Sequence, residues 1–173
     1  GVDLAGVHYL RSVDDARLLG DAVRSGGRVA VIGAGWIGSE VAASARQMGA
    51  EVVLIDRAPV PLQRVLGHEI GEVFRSLHMD NGVQLRSETG VVELRGTSRV
   101  EQVVLSDGRT EAADVVVIGI GVTPRVGLAE AAGVKVDDGI VVDEHLRSSV
   151  PGVYAAGDVA SAWHPHYRQR LRV

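Results

Sequence analysis

Residues 28–56 read RVAVIGAGWIGSEVAASARQMGAEVVLID, and the fold turns on this stretch. Residues 29–32 form an unbroken apolar run ending on glycine, which suits a strand buried on both faces. Ile37, Val41, Ala45 and Met48 then recur at helical spacing, and Gly49 closes that helix. Residues 52–55 repeat the buried-strand pattern. Strand, helix and strand make a βαβ unit, whose two strands lie parallel because the helix carries the chain back to its starting edge. Gly33, Gly35 and Gly38 stand between the first strand and the helix, in GAGWIG. In a chain with 22 glycines the triplet alone says little; its place between a buried strand and an amphipathic helix gives it meaning. There the first glycine permits a tight turn, the second lets backbone approach a pyrophosphate, and the third lets the helix pack close to the sheet. The helix N-terminus adds free N–H groups and the positive end of its dipole. The rival reading is a glycine-rich turn that holds no ligand.

Asp56 ends the second strand, 18 residues after Gly38. A carboxylate there accepts hydrogen bonds from ribose hydroxyls and repels a 2′-phosphate, so NADH is expected over NADPH. Arg57 pulls the other way, since a guanidinium pairs well with phosphate. The plainer reading of Asp56 is a residue that only caps the strand.

Outward from this unit, residues 7–10 read as a short strand. Ser12 or Asp14 opens a helix with Ala16, Leu19 and Val23 on its apolar face, stopped by Gly26 and Gly27. Residues 57–67, RAPVPLQRVLG, carry two prolines and predict an exposed loop. Residues 68–81 predict a helix with Ile70, Val73, Phe74 and Leu77 on one face. Short strands follow at 83–86, 91–94 and 100–105, with SDGR as a turn, in an antiparallel style. Residues 115–118 are another buried strand, running into GIGVTP. A brief helix at 127–132 and strands at 139–142 and 153–156 complete the pattern, and the tail HPHYRQRLRV has none. One α/β domain over 11–121 is expected, with 1–10 and 122–173 belonging to something else.

Apolar residues make up 46% of the 173 residues and charged residues 23%, a globular composition. Aromatic residues are only 3%, so the core must be built from Val, Ile, Leu and Ala. A net charge of −4 gives no basic face for nucleic acid. No apolar run spans a bilayer and no leader pattern opens the sequence, so a cytoplasmic location is expected. With no cysteine, this stretch holds no disulfide and no thiolate metal site. His164 and His166 form an HxH pair without supporting ligands, and no metal site is expected.

Three stretches occur in order: GAGWIGSEVAA at 33–43, VVVIGIGVTPR at 115–125 and LRSSVPGVYAAGDVA at 146–160. Together they resemble the FAD-dependent pyridine nucleotide-disulfide oxidoreductases. PLQRVLGHEIGEVFRSLHMDNGV at 61–83 resembles, within them, the ferredoxin reductases of oxygenase systems, such as putidaredoxin and rubredoxin reductases. Members of that family also carry an earlier glycine motif for FAD and a later interface domain, neither matched here. The resemblance therefore implies a Rossmann-like NAD-binding domain (parallel sheet, helices and antiparallel β-meander) with flanking pieces of an FAD-binding domain.

The implied chemistry is hydride transfer from NADH to FAD, then passage of electrons to a ferredoxin-like iron–sulfur protein. Such a portion alone is expected to bind NADH weakly and not to turn over. By the same resemblance Gly33, Gly35, Trp36, Ile37 and Gly38 line the nucleotide, with Asp56 and Arg57 at its ribose. Glu40 orients the nicotinamide carboxamide, and Trp36 covers the nicotinamide side of the flavin until NADH displaces it. Gly119 and Gly121 form a second glycine turn near the nucleotide, and Gly157 and Asp158 meet the FAD. Each has a plainer reading: a helix-dipole acid, a half-buried aromatic, an exit loop, a turn aspartate. Arg64 reads as solvated rather than as approaching the cofactor, and Arg168, Arg170 and Arg172 read as a solvated or domain-contacting face. No certain catalytic acid or base is expected, because the hydride step needs none. A disulfide reductase of the same superfamily and a non-catalytic NAD-sensing module remain as alternatives; a methyltransferase fits the two-glycine-motif order poorly.

Overall fold

The computed structural model describes residues 1–25 and 27–172, in two compact units, Gly1–Gly121 and Val122–Val173. Gly26, expected to help stop the first helix, and the last tail residue, Val173, lie outside the described residues. In chain order the first unit carries β1 (Val7–His8), α1 (Val13–Arg24), β2 (Arg28–Ile32), α2 (Trp36–Gln47), β3 (Glu51–Ile55) and α3 (Gln63–Asp80). Then come β4 (Val83–Arg86), β5 (Val91–Arg95), β6 (Gln102–Leu105), β7 (Thr110–Ala112) and β8 (Val115–Ile118).

Five strands form one parallel sheet in the order β1-β8-β2-β3-β4. Side chains alternate across it. Val29, Val31, Val52, Leu54, Val115 and Val117 join Leu19, Val23, Val41, Ala42 and Ala45 in one core. Ala30, Val53, Ile55 and Val116 join Leu94, Val100, Val103 and Leu105 in a second core on the opposite face. The sheet is thus covered by helices α1 and α2 on one side and by the antiparallel β5-β6-β7 meander on the other. Each fully buried Val or Leu contributes about 1.5–3 kcal/mol, which is how a chain so poor in aromatics still makes two cores.

Helix α1 opens on Ser12 with a reciprocal cap: the Asp15 N–H donates to the Ser12 hydroxyl at 3.2 Å, and the Ser12 N–H to the Asp15 carboxylate at 2.8 Å. Residues 1–10, expected apart with 122–173, add β1 beside β8, with Val7 opposite Val116.

Three expectations fail. Residues 57–67 are not simply an exposed loop: Val60, Pro61 and Leu62 are buried and α3 begins at Gln63, with a non-helical residue at Gly67. The prolines made the segment look irregular, but it packs under α3. A Cβ on Gly71 would stand 2.3 Å from a Val60 methyl, so Gly71 is what lets the two approach. For the same reason the apolar row of α3 points outward. Ile70, Val73 and Leu77 are exposed, Val73 by 61%, while Gly71 and His78 form the buried side.

The third failure is in the second unit, which carries α4 (Gly127–Ala131), β9 (Ile140–Val142), β10 (Ala160–His164) and β11 (Gln169–Arg172). Residues 153–156 make only an isolated bridge, Tyr154 with Arg147. The tail instead forms an antiparallel β10-β11 hairpin, with β10 parallel to β9. Its alternation is hidden because the small core of this unit is built on Val142, Ala155 and Ala160, two of them alanines. Among the described residues no helix is long and apolar enough to cross a membrane.

Candidate nucleotide-binding site

The carboxyl ends of β2, β3 and β8 converge. The Gly33 N–H donates to the Ile55 carbonyl and the Gly119 N–H to the Ile32 carbonyl, both at 2.8 Å. Gly33 has φ +100°, a conformation for glycine, and a Cβ there would lie 2.5 Å from the Gly119 carbonyl oxygen. At Gly38 a Cβ would stand 1.8 Å from the Gly33 oxygen, so this glycine seats α2 against the turn. Gly35 is different. Its φ of −77° suits any residue, and a Cβ there meets nothing within 4 Å. No intramolecular contact calls for a glycine at this position. What it leaves clear is space above the turn, the cradle a pyrophosphate needs. Helix α2, N-capped by Gly35, has no side-chain cap and no acid in its first turn, so the donors of its first amides are not taken by side chains of the helix itself.

Asp56 does more than cap a strand. Its Oδ2 accepts from the Ala34 N–H at 2.6 Å and its Oδ1 from the Ala58 N–H at 2.7 Å. The Ala34 carbonyl in turn accepts from the Leu62 N–H at 2.9 Å, with Leu62 held at φ +57°. Ala34 is therefore the junction between the glycine turn, the end of β3 and the start of α3. Sequence reading missed it because only its backbone acts. Gln63, next in the chain, has a buried Oε1 without a protein partner, and it too gave no signal. Arg57 is exposed, passes over Gly90 and makes no ion pair among the described residues.

Trp36, at the first position of α2, is 49% exposed, its ring set edge-on to Phe74 at 6.4 Å. Ile37 is half-buried, and Glu40 is exposed one turn further on. Arg64 is exposed, as expected. Gly121, at φ +137°, follows Gly119 after the exposed Ile120. In the second unit Gly157 has φ +73°, and Asp158 is exposed in a short 3₁₀ turn at Gly157–Val159. Arg170 is exposed, and its guanidinium also donates to the carbonyls of Val142 and Ser161, tying the hairpin to β9. His164 and His166 sit with ring centres 6.4 Å apart beside Tyr167, and no metal-holding group of three ligands occurs among the described residues.

A five-stranded parallel sheet with an α-helical face, a meander on the other face and a glycine turn at the carboxyl ends defines a Rossmann-type nucleotide-binding class. The chain belongs to the pyridine nucleotide-disulphide oxidoreductase family, whose pattern matches residues 1–172. It is 43% identical over 166 residues to the anthranilate 1,2-dioxygenase system ferredoxin–NAD(+) reductase component of Burkholderia cepacia, covering 96% of this chain and 41% of that protein. The crystal structure of a ferredoxin reductase from Rhodopseudomonas palustris superposes with a TM-score of 0.92 at 39% identity, covering 99% of this chain and 43% of the other. A covalent putidaredoxin reductase–putidaredoxin complex gives 0.90 at 35%, covering 99% and 42%. The chain thus spans about two fifths of the length of these relatives.

Proposed function

We propose that this chain is the NADH-binding portion of an FAD-dependent ferredoxin reductase. The observation that carries the reading is Gly35, a glycine that neither backbone conformation nor packing requires, at the uncapped start of α2. An incoming pyrophosphate has both the room and the donors it needs there. Residues 11–121 serve as the NAD(H) domain, and 122–173 supply part of the FAD-binding domain, with Gly157 and Asp158 toward the flavin. The names of the ferredoxin reductase relatives support this branch over a disulfide reductase.

FAD, which Gly157 and Asp158 would help to hold, would supply the acceptor for the hydride of NADH and the one-electron donor to a ferredoxin-like iron–sulfur protein. The residues of this chain bind and orient. Gly33, Gly35, Ile37 and Gly38 hold the pyrophosphate by backbone. Asp56 accepts from the adenosine ribose with the lone pairs its backbone partners leave over, and its charge disfavours a 2′-phosphate, giving NADH preference over NADPH despite the neighbouring Arg57. Glu40 orients the carboxamide. Trp36 shields the nicotinamide side of the flavin until NADH displaces it; its ring is about half exposed and meets Phe74 edge-on. Gly119 and Gly121 keep the second turn clear. The reading places the reductase in the cytoplasm.

The test is titration with NADH and with NADPH, followed by nucleotide fluorescence. Tighter binding of NADH supports the proposal; binding of neither refutes it, and tighter binding of NADPH refutes the preference.

A further inference from the structure

We infer that Asp56 is a positioning residue for the phosphate-binding turn, and that it works on the pyrophosphate independently of any contact with the ribose. The inference rests on the nucleotide site proposed above and adds a second role within it. The geometry is specific. Asp56 stands at the end of β3, held by its own backbone: its N–H donates to the Arg86 carbonyl at 3.0 Å and its carbonyl accepts from Thr89 at 3.1 Å. From that fixed base one carboxylate oxygen takes the Ala34 N–H, inside the glycine turn, at 2.6 Å. The other takes the Ala58 N–H, at the start of the segment that returns to the turn, at 2.7 Å. That segment closes the ring by donating from Leu62 to the Ala34 carbonyl. Ala34 is buried between Gly33 and Gly35, and the acceptor its N–H meets is the Asp56 carboxylate.

Both bonds are charge-assisted, the stronger class of hydrogen bond. They also fix the peptide between Gly33 and Ala34, and hence the direction of the following amides at Gly35 and Trp36. A turn released from this latch presents those amides to the pyrophosphate in several orientations rather than one. The penalty then falls on phosphate binding itself, whether or not the ligand carries ribose hydroxyls.

ADP and 2′,3′-dideoxy-ADP separate the two roles, because both carry the pyrophosphate and only ADP carries the hydroxyls. Calorimetric titration of wild type and Asp56→Ala with each gives a four-cornered cycle. The expected result is that Asp56→Ala weakens 2′,3′-dideoxy-ADP by about tenfold or more, the order of one lost charge-assisted bond. Loss of ADP affinity with an unchanged affinity for the dideoxy form overturns the positioning role and leaves the ribose contact standing. Failure of wild type to bind either ligand overturns this inference together with the nucleotide site. Asp56→Asn covers the case in which the alanine variant does not fold. Its side-chain oxygen can keep the Ala34 bond, but its NH2 then faces the Ala58 N–H. This variant is expected to recover part of the dideoxy-ADP affinity. In nuclear magnetic resonance spectra without nucleotide, its Ala34 amide proton moves upfield as the negative acceptor is lost. An Ala34 amide unmoved in Asp56→Asn overturns the latch.

Discussion

Replacing Gly35 by alanine separates ligand binding from folding. The backbone at Gly35 has φ −77° and ψ −169°, which alanine adopts freely, and the new Cβ would meet no atom within 4 Å. Two stability effects oppose one another. Alanine restricts the unfolded chain, a gain of about 0.4–1 kcal/mol. It is also a poorer N-cap than glycine, a loss of about 0.5–1 kcal/mol. The net change is about 0.5 kcal/mol or less, a shift in Tm of about 2 °C at most for a chain this size. Binding fares differently. The methyl group fills the approach to the turn and prevents a phosphate oxygen from reaching the first amides of α2. Loss of one charge-assisted hydrogen bond, about 1.5–3 kcal/mol, weakens NADH by roughly ten- to a hundredfold. Thermal unfolding and NADH titration on the same preparation measure both quantities. A Gly35→Ala protein that binds NADH as tightly as wild type would show that the open space above this glycine is not where the pyrophosphate sits.

Gly38→Ala is expected to act on the fold: a Cβ placed 1.8 Å from the Gly33 oxygen forces α2 off the sheet, costing about 3 kcal/mol and lowering Tm by about 6–12 °C in thermal unfolding. His78 is buried with Nε2 unpartnered, and burial pushes its imidazole below the usual histidine range. Because the folded state disfavours the proton, stability is complete above about pH 7 and falls as pH drops through about 6.5 toward the lowered value. His8, lowered by burial in the same sense, adds to that slope, so urea unfolding of His78→Leu between pH 5 and 8 should show a reduced but not abolished dependence. Leu105→Ala opens a cavity between the meander and the sheet and should cost about 2–5 kcal/mol in urea unfolding. Phe74→Ala removes the edge contact of Trp36 and should change tryptophan emission without shifting the NADH affinity by more than about twofold, about 0.4 kcal/mol.

The βαβ core was legible because its signals are side-chain signals: unbroken apolar runs at 29–32 and 52–55, helical spacing from Ile37 to Ala45, glycines at the turn. What stayed hidden depends on backbone. Nothing in PVPLQ announces that Leu62 will donate to Ala34, and that one bond turns a proline-rich stretch into part of the site wall. On α3 the period is plain, yet the side chosen for burial is the one that Gly71 leaves bare, and a glycine contributes nothing to an apolar pattern. The end of β3 shows the same limit: the sequence marks Asp56 as an acid closing the strand, but not as the acceptor of two backbone amides. In the second unit, alanines at 155 and 160 supply the core with too little hydrophobic contrast to mark strands.

The strand order has a consequence in time. β1 pairs with β8, and β8 also covers the free side of β2, yet Val7 and its partner Val116 are more than a hundred residues apart. As the chain leaves the ribosome, β2, α2, β3 and β4 can collapse early, but one flank of β2, the strand RVAVI, has no neighbour until residues 115–118 emerge. During that interval the most apolar edge of the sheet is open to any other extended chain. Yield of native protein should therefore be sensitive to how fast the meander between β4 and β8 is synthesised, even when the finished fold is stable.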